Sequence, residues 1–140
     1  MKTLLLNKDE VGSLIDLDRV QAAVENAYCS FSSGKVTQPP FMALHTPQTH
    51  GGMDIKAGID MGSGFMSIKA SSGGYDANPS LGLPRGMNTV LLFDASTSAL
   101  LCIMDGTWIT GCRTGAAGAI SAKYLARKDA KVVGIIGAGN

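Results

Sequence analysis

The residues of this 140-residue chain whose types and spacing could do chemistry are Lys69, Arg113 and the pair Gly137-x-Gly139. Arg113 lies within MDGTWITGCRTGAAGAISAKYLA, residues 104–126. Read as a helix, this stretch begins near Asp105–Thr107 and ends near Ala126. Ile109, Ala116, Ala117, Ile120 and Tyr124 fall on one face at helical spacing, and Arg113 falls on that same face. A guanidinium on an apolar stripe is costly to desolvate unless an anion or hydrogen-bond acceptors meet it. Its planar fork suits a carboxylate or a phosphate. From the helix alone, a structural ion pair at the edge of a core helix is the favoured explanation of Arg113. Gly111, Gly115 and Gly118 lie at i, i+4 and i+7, each costing a helix about 1 kcal/mol relative to Ala. Three such positions on one line predict that a helix, a strand or a cofactor passes close to the backbone.

Lys69 closes a run of period two. Met66, Ile68 and Ala70 alternate with Phe65, Ser67 and Lys69, and a serine- and glycine-rich loop is expected from Ser71 to Gly74. A lysine at the end of a strand can meet an acid group or simply be solvated. Lys56, in the preceding alternating run Met53 to Ile59, is a similar candidate. Gly62-Ser63-Gly64 joins the two runs as an antiparallel hairpin. At the far end, an apolar strand from Lys131 to Ile136 runs into Gly137-Ala138-Gly139. A strand followed by G-x-G opens a dinucleotide-binding fingerprint: the first glycine makes the tight turn and the second admits the pyrophosphate.

The elements that must position these groups follow in order. Thr3 to Leu6 reads as a short strand. Asn7 and Glu10 form a capping-box pair for a short helix ending near Leu14. Asp16 caps a second helix, Leu17 to Ser33, with a stripe of Leu17, Val20, Val24, Ala27 and Phe31 that is expected to pack on a sheet; Gly34 terminates it. Gln38-Pro39-Pro40 interrupts, and Phe41 to Leu44 reads as an edge strand. His45 and His50 are assigned to a loop with no third ligand at convincing spacing, so no metal site is expected. Residues 75–88 form a long irregular stretch of the kind that is often functional. Thr89 to Phe93 and Leu100 to Met104 make another hairpin.

An apolar fraction of 45% with 16% charged residues describes a globular chain, with length enough for one domain. A net charge of +1 gives no electrostatic case for nucleic acid or a membrane surface. No run reaches the length of a membrane span and no leader pattern is present. The three cysteines, Cys29, Cys102 and Cys112, form no CxxC pair. They read as reduced, buried, small apolar residues of a cytoplasmic protein.

With these pieces laid out, the chain resembles the ornithine cyclodeaminase / mu-crystallin family. The resemblance is carried by GLPRGMNTV, LFDASTSALLCIMDGTWITGCRTGAAGAISAKYLA, the strand ending in Lys69, and VVGIIGAGN. It implies an α+β fold: an N-terminal substrate-binding and dimerisation domain over residues 1–127, with a mainly antiparallel sheet and flanking helices. Residues 128–140 would be the first strand and glycine turn of a truncated Rossmann domain. By resemblance Lys69 is the active-site lysine, binding the substrate carboxylate or hydrogen-bonding the reacting amino or imino group. Arg113 clamps that carboxylate beside the nicotinamide, Thr114 helps hold the cofactor, and Gly137 and Gly139 are phosphate-loop glycines. The implied cofactor is NAD or NADP. The implied function is an oxidoreductase or cyclodeaminase acting at the amino or imino carbon of a small amino acid, of the ornithine cyclodeaminase, alanine dehydrogenase or ketimine reductase kind. A homodimer is expected. A non-catalytic mu-crystallin-like protein that binds NADPH or a small ligand is the alternative. Some members carry a further carboxylate-binding arginine just after the prolines; Phe41 and Met42 stand there, so the resemblance does not extend to ornithine as substrate. The family's catalytic aspartate falls beyond Asn140, and the 140-residue chain alone is expected to be inactive.

Overall fold

In the computed structural model, residues 2–137 are described. Strand β1 (Leu4–Leu6) leads into helix α1 (Lys8–Leu14). The expected capping box is formed there: the Asn7 side chain accepts from the Glu10 N–H, and the Glu10 carboxylate accepts from the Asn7 N–H. Asp16 caps helix α2 (Leu17–Ser32), and Gly34 takes the left-handed conformation beyond it, φ +74°. Strands β2 (Val36–Thr37), β3 (Met42–Thr46), β4 (Gly51–Asp60), β5 (Phe65–Gly73), β6 (Asn88–Asp94) and β7 (Leu100–Asp105) follow, and helix α3 (Thr107–Leu125) closes the described elements.

The strands form one seven-stranded sheet ordered β1-β7-β6-β5-β4-β2, with β3 also paired to β4. Every pairing is antiparallel except β1 with β7. Strands β2 and β3 share the same edge of β4, paired to its two ends. The interruption between them holds Pro39 and Pro40, which have no N–H to give to a ladder. The α+β character and mainly antiparallel sheet implied by the resemblance are present.

Pairing register sorts the side chains to two faces. Lys56 lies opposite Lys69, and Lys69 opposite Val90, so these three share one face; Ile55, Ala57, Ile68, Ala70 and Leu91 share the other. Helix α3 covers the first face, and its Ala116 and Ile120 join Val90 and Cys102 in the small buried core. Helix α1 meets the start of α3, where Gly12 leaves room for the Trp108 indole: a Cβ at 12 would stand 2.7 Å from Trp108 Nε1. Helix α2 is tied to α3 by Glu25, which accepts from Lys123 Nζ at 2.9 Å and from the Tyr124 hydroxyl. The second face of the sheet carries no helix among the described residues.

Several expectations are corrected. Lys131 to Ile136 form no strand: Val132, Val133, Ile135 and Ile136 are exposed and unpaired, because no parallel neighbour among the described residues offers them a ladder. Gly137 has φ +94°, and Gly139 lies outside the described residues. Lys69 is not at a strand end; β5 continues through the serines to Gly73 because Ser71 pairs with Asp54 and Asn88 on its two sides. His45 belongs to β3 rather than a loop. Cys29 is exposed on α2, not buried. Helix α2 packs mainly on α3, and none of its residues is fully buried. Among the described residues no helix or strand lies against Gly115 or Gly118: a Cβ at either would find nothing within 4 Å.

Candidate functional site

The site begins where β7 hands over to α3. Gly106 is buried, and its N–H donates to Asn88 O at 2.8 Å. A Cβ there would stand 2.8 Å from Asn88 Cβ and 3.2 Å from Val90 Cγ2, so the first turn of α3 can lie on β6 only with glycine at this position. The Asp105 carboxylate accepts from the Thr107 N–H at 2.8 Å, which secures the same turn. One turn on, the Thr110 hydroxyl donates to Gly106 O at 2.7 Å and accepts from Lys69 Nζ at 2.8 Å. Strand and helix are thereby joined through the lysine.

Arg113, three residues after Thr110, projects from the same side of α3. Lys56, Lys69 and Arg113 line one open cleft of about 630 Å³, between the sheet and the inner side of α2. Val24, Ala27, Tyr28 and Phe31 of α2 form its apolar wall. Lys69 is half-buried and Arg113 exposed. The ion pairs among the described residues are Arg85–Asp76, Lys123–Glu25 and Arg127–Asp129, and none uses a cleft cation. Asp60 also lines the cleft, but its Oδ1 accepts from the Gly62 N–H at 2.8 Å in its own turn. Burial holds the Lys69 ammonium below the usual lysine range, and the positive charges of Arg113 and Lys56 push it down further. A bound anion would relieve all three.

The sequence-derived candidates therefore do not scatter. Lys69 and Arg113 line the same cleft, although Lys69 reaches it from mid-strand. Thr114 is exposed on α3, its hydroxyl donating to Thr110 O at 2.7 Å. Of the two glycines expected to form a phosphate loop, only Gly137 is described, with φ +94°. Among the described residues no group of three or more His, Cys, Asp or Glu side chains could hold a metal ion, and no helix is long and apolar enough to cross a membrane.

Sequence reasoning missed Thr110 and the wall from α2. Thr110 stands one turn before Arg113, and that spacing could have marked it. The wall could not be inferred, because nothing in the α2 sequence says that its stripe meets a cleft.

The family model for the ornithine cyclodeaminase/mu-crystallin family matches residues 1–140. The alanine dehydrogenase of Archaeoglobus fulgidus is 40% identical over 139 residues, covering 99% of this chain and 42% of its own length. Among solved structures, an archaeal alanine dehydrogenase dimer with bound NAD superposes with TM-score 0.84 at 39% identity, over 92% of this chain and 39% of that one. The iminosuccinate reductase of Paracoccus denitrificans in complex with NAD+ superposes with TM-score 0.90 at 31% identity, over 98% of this chain and 42% of that one. The chain thus spans about two-fifths of the length of these relatives. A match along its whole length, with the same fold and a cationic cleft at the sheet–helix junction, leads to one assignment: the chain belongs to the ornithine cyclodeaminase/mu-crystallin family.

Proposed function

We propose that the protein is an NAD(P)-linked oxidoreductase or cyclodeaminase acting at the amino or imino carbon of a small amino acid. In this reading residues 1–127 form its substrate and dimerisation domain, and residues 128–140 open its nucleotide domain. The observation that carries it is the meeting of Lys69 and Arg113 in one cleft, neither of them in an ion pair among the described residues. A substrate carboxylate is the anion such a pair takes: Arg113 offers a planar fork, and Lys69 keeps two N–H donors after its bond to Thr110. Held there, the neighbouring carbon is fixed in place beside α3, and orientation of this kind is what the protein contributes to catalysis. The nicotinamide, when bound, donates or accepts the hydride. Lys69 would bind the carboxylate or hydrogen-bond the reacting nitrogen, and its lowered proton affinity makes a proton easier to release there than from an ordinary lysine. Arg113 and Thr114 would border the cofactor, with Gly137 and Gly139 at its phosphates.

The uncovered sheet face is the proposed dimer surface. Ile55, Ile68 and Leu91 lie on it half-exposed, and Leu5, Met42 and Leu44 on it are 76%, 58% and 50% exposed. A contiguous apolar face of this kind marks an interaction site. Free, unpaired Cys29, Cys102 and Cys112 accord with a cytoplasmic location.

The test is NADH or NADPH oxidation by the intact protein with a panel of 2-oxo acids plus ammonia and of cyclic imino acids. Arg113→Ala is expected to raise KM sharply and lower kcat. Unchanged steady-state constants would remove the clamp role, and binding of cofactor without turnover of any panel member would favour the binding-protein alternative.

A further inference from the structure

The cleft holds one more cation than a single carboxylate needs. Lys69 and Arg113 together can occupy both oxygens of one carboxylate. Lys56 stands directly across the β4–β5 ladder from Lys69, on the same face and lining the same cleft. Like charges placed opposite one another destabilise an antiparallel pair. Lys56 takes part in no ion pair found among the described residues, and its ammonium lies 5.5 Å from the centre of the Phe41 ring. That ring can hold the head of the side chain in place, but it carries no net charge. A local rule of sheet pairing is thus broken beside a functional cleft, which is where such breaks are expected to have a use.

We propose that this site takes a short dicarboxylic amino or imino acid, with Lys69 and Arg113 on the carboxylate next to the reacting carbon and Lys56 on the distal carboxylate. The inference rests on the proposed function for the first carboxylate and adds a specificity-determining residue for the second. The two lysines are one cross-strand step apart, about 5 Å between Cβ atoms, a spacing that a four-carbon diacid can bridge. The apolar wall from Val24, Ala27 and Phe31 would lie along the aliphatic middle of the ligand.

The test is titration of the intact protein, with NADH present, by succinate and by butyrate, which have equal chain length and differ by one carboxylate. Succinate is expected to bind about tenfold more tightly, the worth of one charge-assisted contact. Lys56→Met should bring succinate down to the level of butyrate, and Lys56→Arg should retain the preference; thermal unfolding of each variant shows that it is folded. Equal affinities in the unaltered protein, failure of both acids to bind, or a preference that survives Lys56→Met would overturn the proposal. NADH oxidation with oxaloacetate plus ammonia and with pyruvate plus ammonia reads the proposed function separately. Turnover of pyruvate without a succinate preference overturns the diacid site alone. A Lys56-dependent succinate preference with no turnover of any acid upholds the diacid site and overturns the redox reading.

Discussion

Thr110→Val isolates the junction between sheet and helix. Valine keeps the β-branched shape and helical fit of threonine and removes only the hydroxyl's hydrogen bonding. The Gly106 carbonyl stays satisfied, because the Thr110 N–H donates to it at 2.8 Å irrespective of the side chain. Lys69 loses its acceptor at 2.8 Å. A hydrogen bond to a charged group contributes about 1.5–3 kcal/mol. Lys69 is only half-buried, so the lower end applies. About 1.5 kcal/mol corresponds to roughly a tenfold change in an equilibrium constant. The expected result is a KM for the acid substrate raised roughly tenfold, with a smaller fall in kcat, because Lys69 is left charged but no longer aimed. A structural defect could also raise KM, so the pH profile decides. The hydroxyl accepts from the ammonium form, and its loss must lower the proton affinity of Lys69 still further. The alkaline limb of kcat/KM is therefore expected to move to lower pH in Thr110→Val and to return in Thr110→Ser. An alkaline limb that stays in place, with KM unchanged, would refute the positioning role.

Three further outcomes are expected. Gly106→Ala should destabilise the protein by about 1–3 kcal/mol in denaturant unfolding, because the new methyl overlaps Asn88 and Val90 and must push the first turn of α3 off β6; an unchanged midpoint would show that the turn can give way. Asp94 accepts from the side chains and N–H groups of Ser96 and Thr97, which hold its carboxyl at about 2 against an ordinary 3.8. A depressed carboxyl stabilises the fold fully above its unfolded value and loses that contribution as pH falls through its folded value. The stability gap between Asp94→Ala and the unaltered protein should therefore be constant above about pH 4 and close towards pH 2; a gap independent of pH would contradict this. Ile68→Asp, in the middle of the uncovered sheet face, should halve the solution mass measured by light scattering, while Arg85→Ala, at an exposed residue of the 75–88 stretch, should not.

Much of this fold was legible because its signals are local. Asn7 with Glu10, Asp16, Gly34 and the glycine-bearing turn at 62–64 each act within a few residues, and the elements they bound appear where expected. The alternation in 53–59 and 65–70 marked the hairpin, while the register that sets Lys56 opposite Lys69 appears only in the structure. What was not legible depends on partners distant in the chain. The extension of β5 past Lys69 comes from its neighbours Asp54 and Asn88, which periodicity does not register. The strand read at 131–136 has the right composition, yet composition supplies no ladder, and no neighbour among the described residues does either. Thr110 went unnoticed because threonine in a helix is ordinary; only the ammonium 41 positions earlier in sequence makes it part of a site.

The parallel seam at the edge of the sheet bears on how this protein is made. Leu4 pairs with Cys102 and Leu6 with Met104, and the Thr3 hydroxyl donates to Leu100 O at 3.0 Å. During synthesis β1 must wait for β7 to emerge, roughly 5–20 s at the usual elongation rates. Helices α1 and α2, capped from within, can form in that interval, but Leu4, Leu5 and Leu6 have nothing to join. Completion of the sheet is thus a late, long-range closure, and an amino-terminal fusion that hinders it should slow folding more than one at the other end.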